Sequence, residues 1–314
     1  MKKLSIVVPV YFNELNLPDT IPRLLALKDK ISESEFEFIF VDDGSKDKSL
    51  EILLKFREKF PNEIRVVKLT RNFGSMAAIQ AGLKVSKGDC VGVIAADLQD
   101  PPELFVDMFK HWQKGTKAVL AIRKDRHDPP TSKILSKIYY HFIRKYAIAD
   151  FPEGGFDFFL IDRQIVDQLN KIPEKNTNLM NLLLWLGYEY VTIPYVRQKR
   201  KKGKSRWTLS KKIKLVIDSF IGFSYIPIKL LPSLGIIFAI AAFVYAGISF
   251  YNWAVGDVKV EGWTTTIILV TLIGGIQMIM LGILGEYLWR TLDETRKRPS
   301  YVIEKIFDNG EGNY

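Results

Sequence analysis

The chain has 314 residues, 47% of them hydrophobic and 25% charged, with a net charge of +10, which excludes a disordered chain and a collagen-like repeat. A single cysteine, Cys90, excludes an intrachain disulfide framework and fits a reducing compartment. The basic excess narrows the partners to nucleic acid, anionic lipid or a phosphorylated ligand, and the placement of the basic residues decides among them.

The start, Met1-Lys2-Lys3-Leu4-Ser5-Ile6-Val7-Val8-Pro9, has the look of a leader, but its apolar run is short and meets Asn13 and Glu14 without a small-residue cleavage site. Residues 4–10 read instead as a first strand, apolar throughout as a strand covered on both faces must be. A loop at Tyr11 to Glu14 and a helix over 17–30 follow. The second strand, 36–41, runs into Asp42-Asp43-Gly44-Ser45, where Gly44 permits a tight turn and Ser45 or Asp47 can cap a helix over 50–60. A third strand, 64–69, ends in Arg71-Asn72-Phe73-Gly74, and a helix over 77–85 leads to strand 90–94. The run Ala95-Ala96-Asp97-Leu98-Gln99-Asp100-Pro101-Pro102-Glu103 comes next, its proline pair ending the strand and opening a helix. This alternation predicts an α/β, doubly wound, mostly parallel sheet. No GxGxxG follows the first strand and no GxxxxGKS/T occurs, so the dinucleotide and P-loop readings lose their support.

Acidic and amide residues gather at the carboxyl ends of these strands: Glu14, Asp42 with Asp43, and Asp97 with Gln99. Ligands of open α/β sheets bind at that edge. Hard oxygen ligands such as Asp97 and Gln99 suit Mg²⁺ or Mn²⁺ held against a diphosphate, and an Asp-rich strand-to-helix turn is the structural alternative. Residues 118–122 form a further strand, with Arg123 just after it. Over 131–149, Ile134, Leu135, Ile138, Phe142, Ile143 and Tyr146 recur at helical spacing among basic residues, a pattern that suits either an anionic membrane surface or a core-facing helix. Asp157 stands amid Phe156, Phe158 and Phe159, and an acid in such a setting must be paired or functional.

Beyond 196 the composition changes. A basic run, 197–204, contains Arg200 and continues through Ser205, Arg206 and Trp207; residues 209–229 form an amphipathic juxtamembrane segment with Lys211, Lys212 and Lys214. No charged residue occurs over 230–256 or over 262–285, and each run exceeds the roughly 20 apolar residues that span a bilayer. Two transmembrane helices, 230–254 and 263–288, are predicted. Basic residues precede the first and follow the second, at Arg290, Arg296, Lys297 and Arg298, whereas the loop between has one, Lys259. The positive-inside rule then puts both chain ends in the cytoplasm, and Trp253, Trp263, Tyr287 and Trp289 suit aromatic belts. The predicted organisation is a cytoplasmic catalytic domain (1–208), the juxtamembrane segment (209–229), the spans (230–289) and a cytoplasmic tail (290–314). Charge clustered beside the spans favours lipid over nucleic acid as partner, and small residues such as Gly274-Gly275 permit self-association.

Taken together, Ile6-Val7-Val8-Pro9-Val10-Tyr11, Val41-Asp42-Asp43-Gly44-Ser45, Arg71-Asn72-Phe73-Gly74, Asp97-Leu98-Gln99-Asp100-Pro101-Pro102-Glu103 and Arg200-Lys201-Lys202-Gly203-Lys204-Ser205-Arg206-Trp207 resemble the family 2 glycosyltransferases. Within them the chain is similar to the polyprenyl-phosphate glycosyltransferases, including the dolichyl-phosphate mannose synthase group. Bacterial members with two C-terminal membrane helices are similar over nearly the whole length, down to Gly285-Glu286-Tyr287. The resemblance implies a Rossmann-like GT-A fold and inverting transfer of one sugar from a nucleotide-sugar to a polyprenyl phosphate at the inner, plasma membrane, with a UDP-hexose such as UDP-glucose favoured and a GDP-sugar compatible. It implies Pro9, Tyr11, Glu14, Asp42, Asp43 and Asp97 around the nucleotide, Asp97 and Gln99 on Mg²⁺ or Mn²⁺, and Arg200, Ser205 and Arg206 on phosphates. Arg123 is a candidate for the acceptor phosphate, and Asp157 takes the place of an acid facing the reaction centre. Two departures stand out. Ala95 replaces the first acid of the usual Asp-Ala-Asp-Leu-Gln, removing one metal or ribose contact, and Phe12 stands where Asn commonly follows the tyrosine. Two competing readings stay open: a polysaccharide-extending membrane synthase, for which two spans are few and a QxxRW pattern is missing, and a non-enzymatic, basic, membrane-anchored binding protein.

Overall fold

A computed structural model of the chain describes residues 1–125, 140–141, 143–148, 150–172, 174–175, 177–198, 216, 218–219, 221–224, 226–255 and 262–308. The chain divides into two units, one of residues 1–216 with 299–314 and one of residues 217–298.

The first unit is built on β1 (Lys2–Val10), α1 (Leu17–Leu25), α2 (Leu27–Lys30), β2 (Ser34–Asp42), α3 (Ser49–Lys59), β3 (Ile64–Leu69), α4 (Ser75–Val85), β4 (Cys90–Val93), α5 (Leu104–Gln113), β5 (Ala118–Asp125), β6 (Phe158–Asp162), α6 (Arg163–Leu169), α7 (Leu179–Trp185), β7 (Tyr190–Val196) and β8 (Ile303–Phe307). The strands lie in the order β7-β5-β6-β4-β1-β2-β3-β8. Only β6 and β8 run against the others, so the doubly wound, mostly parallel sheet is as expected from the sequence. Apolar runs become strands here because both faces are covered. Leu4, Ile6, Val8 and Val10 join a core with Leu17, Ile21 and Leu24 of α1 and Phe105 and Phe109 of α5. On the other face Val7 and Val41 pack so close to Gly82 of α4 that an added Cβ would lie 2.3 Å from Val7. Gly92 of β4 is equally tight, its missing Cβ making room for the Phe105 ring, 2.2 Å from where that atom would stand.

Three differences from the sequence reading matter. The helix expected over 17–30 is two, α1 and α2; α1 carries Pro22, which has no N–H to give to the preceding turn. Strand β6, not foreseen, inserts antiparallel between β4 and β5. The stretch read as a tail, 290–314, contributes β8, which pairs antiparallel with β3 and covers a row of backbone groups that an edge strand would leave open. Lys68 and Glu304 bridge that pair at 2.6 Å.

The second unit has α8 (Ile226–Ala254) and α9 (Trp263–Thr295), each longer than the span predicted for it. Residues 228–252 and 268–295 are long and apolar enough to cross a membrane, and none of their apolar length is buried within the protein. Near the end of α9, Arg290 bonds Glu286 at 3.0 Å and Asp218 at 2.6 Å, tying the chain before α8 to α9. Of the amphipathic stretch 131–149, the described residues 140–141 and 143–146 are helical; of 209–229, residues 216, 218–219, 221–224 and 226–229 are described.

Candidate active site

The directions of the strands bring the carboxyl ends of β1, β2, β3, β4, β5 and β7 and the amino end of β6 to one edge. The strand order reverses at β1, which has β2 on one side and β4 on the other, and such a switch point opens a crevice for ligands. Pairing of β1 with β4 ends at Val7 and Val93, so Pro9 stands beyond that ladder.

On one side of the switch point, the loops after β1 and β2 are laced together. Ser45 Oγ accepts from the Phe12 N–H (3.1 Å), Asp47 Oδ2 from the Glu14 N–H (3.3 Å) and Ser49 Oγ from the Asn13 N–H (2.8 Å). Glu14 Oε2 in turn accepts from the Lys48 N–H at 3.0 Å, capping α3. Phe12 takes φ 55°, a left-handed conformation that Asn adopts readily and Phe does not, and its ring is held edge-on to Tyr11 with centroids 4.6 Å apart. Asp43 accepts from the Phe73 and Gly74 N–H groups at 2.7 and 2.9 Å, joining the β2 loop to the β3 loop. Gly44 lies between them at φ 68°, where a Cβ would stand 2.6 Å from the Arg71 carbonyl carbon. Asp42 is wholly buried; its Oδ1 accepts from the Ser45 N–H at 3.4 Å and its Oδ2 has no partner among the described residues. Burial pushes the Asp42 carboxyl above its ordinary value, with the Ser45 hydrogen bonds opposing.

On the other side, the chain leaves β4 through a turn in which Asp97 Oδ1 accepts from the Gln99 N–H (3.2 Å) across Leu98, itself left-handed at φ 56°. Gln99 is doubly bonded to the segment after β7: its carbonyl accepts from the Gln198 N–H at 2.9 Å and its side-chain amide donates to the Gln198 carbonyl at 3.3 Å. Asp97 and Gln99 are half-buried oxygen donors, the chemistry that Mg²⁺ or Mn²⁺ takes. Among the described residues no three His, Cys, Asp or Glu side chains converge, so such an ion would draw further ligands from a substrate diphosphate, the way Mg²⁺ is usually held.

The same edge holds a polar chain that the sequence did not reveal. Register pairs Arg123 of β5 with Tyr195 of β7, and Ala121 with Phe158 of β6, which brings Asp157 alongside. Arg123 Nη2 donates to Asp157 Oδ2, and Arg123 Nε donates to the Tyr195 hydroxyl at 3.4 Å. Tyr195 donates to Asp100 Oδ1, from which Arg197 Nε lies 3.4 Å. Burial works against the Arg123 charge, but Asp157 and then Tyr195 more than offset it, holding the guanidinium above its ordinary value. Burial first, and then the Asp157 charge, push the Asp100 carboxyl up to about 6. Burial, then the Asp100 charge, raise the Tyr195 phenol, so it stays a donor. Asp100 Oδ2 and Asp157 Oδ1 are buried atoms without partners among the described residues.

Of the residues singled out in the sequence, Pro9, Tyr11, Glu14, Asp42, Asp43, Asp97, Gln99, Arg123 and Asp157 all stand at this edge, with Glu14 and Asp43 already engaged by backbone N–H groups. Arg200, Ser205 and Arg206 lie outside the described residues. Asp100, Tyr195 and Arg197 were not foreseen. A cleft of about 360 Å³ between α5 and β7, lined by residues such as Asp107, Lys110 and Ile193, shares none of these groups.

Comparison with known proteins gives a family. Residues 5–169 match the family described as Glycosyl transferase family 2. The "Uncharacterized glycosyltransferase YkcC" of Bacillus subtilis (strain 168) is 36% identical over 304 residues, 96% of this chain and 94% of that protein. The "Prophage bactoprenol glucosyl transferase homolog" of Escherichia coli (strain K12) is 32% identical over 305 residues, 97% of this chain and 99% of that protein. The "Bactoprenol glucosyl transferase" of Shigella phage SfII is 32% identical over 307 residues, 96% of this chain and 98% of that protein.

Proposed function

Because the chain belongs to glycosyl transferase family 2, we propose that it moves one sugar from a nucleotide diphosphate sugar to the phosphate of a membrane polyprenol, with inversion at the anomeric carbon. UDP-glucose, or another UDP-hexose, is the donor. Full-length similarity to bactoprenol glucosyl transferases and two helices of membrane-spanning length support the lipid acceptor. The observation that carries the reading is the polar chain from Asp100, which directly follows the Asp97–Gln99 turn, through Tyr195 to the Arg123–Asp157 pair, which ties a donor-side loop to an acceptor-side acid.

The chemistry asks little of a base. A phosphate monoester has its second pKa at about 6 and is largely ionised at neutral pH. One of its oxygens forms the bond to the anomeric carbon while the bond from that carbon to the nucleotide diphosphate breaks, from the opposite face. Asp157, with Oδ1 unspent, orients the acceptor or takes a residual proton. Arg123 holds the acceptor phosphate. Pro9, Tyr11, Glu14, Asp42 and Asp43 form the nucleotide end, and Arg200, Ser205 and Arg206 serve phosphates. Asp97 and Gln99 would hold Mg²⁺ or Mn²⁺, whose chemistry is to neutralise charge developing on the leaving diphosphate. Because the sheet unit takes its strands from both sides of residues 217–298, a two-span hairpin must return the chain to the face it left, and the basic flanks make that face the cytoplasmic one.

The test is transfer of radiolabelled sugar from a panel of UDP- and GDP-sugars to undecaprenyl phosphate by the purified chain, with Mn²⁺ or with EDTA. The expected outcome is an acid-labile lipid product from one donor, abolished by EDTA. Donor hydrolysis without a lipid product would refute the proposed acceptor.

A further inference from the structure

We propose that Tyr195 and Asp100 are positioning residues for sugar transfer: they fix the plane of the Arg123 guanidinium and, through it, set Asp157 for the acceptor. The inference deepens the transfer reading and stands only with it.

The argument is one of hydrogen-bond polarity. Arg123 spends Nε on Tyr195 and Nη2 on Asp157, two bonds along one edge of a rigid plane. Its Nη1 makes no bond to the described residues, and Asp157 Oδ1 makes none either. A cation and an acid held edge to edge therefore each keep one unspent arm, the arrangement that accepts a phosphate on one and its hydroxyl or bridging proton on the other. Tyr195 can accept from Arg123 only if its single proton goes elsewhere. Asp100, 1% exposed, takes that proton on Oδ1, and Arg197 at 3.4 Å balances the carboxylate charge. Without Asp100 the phenol is free to rotate its proton toward the guanidinium, and the bond that orients Arg123 is lost. Asp100 also follows Gln99 directly, so the turn carrying the candidate metal ligands and the acceptor-side pair share one fixed point. Tyr195 belongs to β7 and Asp100 to the loop after β4, 95 residues apart, and packing alone does not require a phenol here: the ring's edge contact with Phe158, centroids 6.3 Å apart, would serve Phe as well.

The experiment uses the purified full chain and compares Tyr195→Phe, Asp100→Ala and Asp100→Asn with the wild type. It measures kcat for transfer to undecaprenyl phosphate, KM for the donor and the unfolding temperature. Tyr195→Phe is expected to fold normally and to lower kcat by about 10- to 100-fold, the effect of losing one bond to a charged group, with donor KM unchanged. Asp100→Asn, which retains an acceptor oxygen for the phenol, is expected to recover most of the rate that Asp100→Ala loses. Wild-type kcat in Tyr195→Phe would overturn the inference. So would an Asp100→Asn as slow as Asp100→Ala, or a joint loss of donor affinity and unfolding temperature in Tyr195→Phe, the signature of a structural role. If the wild type makes no lipid-linked sugar, the transfer reading itself falls and takes this inference with it, an outcome distinct from an active wild type with indifferent variants.

Discussion

Asp42 and Asp100 both carry carboxyls whose pKa burial raises, and this fixes the sign of a pH effect. Between the ordinary carboxylate value and the raised one, the native state binds more protons than the unfolded chain, so these groups cost stability at neutral pH and the cost fades as pH falls. For Asp100 the window lies below about 6. Replacing it with Asn removes the ionisation cost, so the unfolding temperature of Asp100→Asn relative to wild type is expected to be higher at pH 7 than at pH 5; thermal unfolding at the two values checks it, and an unchanged difference would contradict it. Phe12 gives a second residue-scale prediction. At φ 55° it occupies a conformation Asn tolerates, so Phe12→Asn relaxes the backbone while losing the edge contact with Tyr11, worth about 0.5–1.5 kcal/mol. Stability is therefore expected to change by less than about 1 kcal/mol, because the two effects oppose one another, as denaturant titration would show. At this scale the acids were legible because Asp42, Asp97 and Asp157 stand in local patterns of strand, turn and aromatic run. Tyr195 was not, since nothing around Pro194-Tyr195-Val196 distinguishes it from a strand residue, and its meaning comes from partners on β5 and the β4 loop.

Among the elements, the β2 loop and β4 are the most sensitive. Gly44→Ala combines positive φ with a Cβ 2.6 Å from the Arg71 backbone, so the β2 and β3 loops must separate. Donor KM is expected to rise about tenfold or more, by the loss of one well-placed polar contact, together with a fall in unfolding temperature from the strained backbone. Gly92→Ala meets the Phe105 ring in the core instead, and about 1–3 kcal/mol of stability is expected to be lost through overpacking. Both variants lose stability, and only Gly44→Ala is expected to raise donor KM, which separates a loop that serves the site from a strand that serves the core. Strands β1 to β5 were readable because continuous β-branched and aromatic runs ended in turn residues. β6 was hidden by its neighbourhood: Phe156-Asp157-Phe158-Phe159 follows a glycine pair with no alternation to mark where pairing starts, and only the antiparallel register reveals it.

For the whole molecule, the chain crosses from the sheet unit into the helix pair and returns to finish the sheet. The return was invisible in the sequence, since Ile303–Phe307 is short and interrupted by two adjacent charges, Glu304 and Lys305, and its partner β3 lies more than 230 residues earlier, as Lys68 and Glu304 show. Phe307 of β8 packs against the core of the sheet unit, so Phe307→Ala is expected to lower the unfolding temperature by about 2–4 °C for each kcal/mol lost in a domain of this size, measured by thermal unfolding in detergent. The two helices of membrane-spanning length, by contrast, were plain from uninterrupted apolar composition, which needs no partner to be recognised. Sheet edge, returning strand and membrane-length helices all serve one central claim, that a single sugar passes from a nucleotide to a lipid phosphate. The mass of the lipid product tests this most directly. A product heavier than polyprenyl phosphate by one hexose residue, with the nucleoside diphosphate released, is expected; a lipid bearing an added sugar phosphate, a lengthening sugar series, or an unmodified lipid would contradict it.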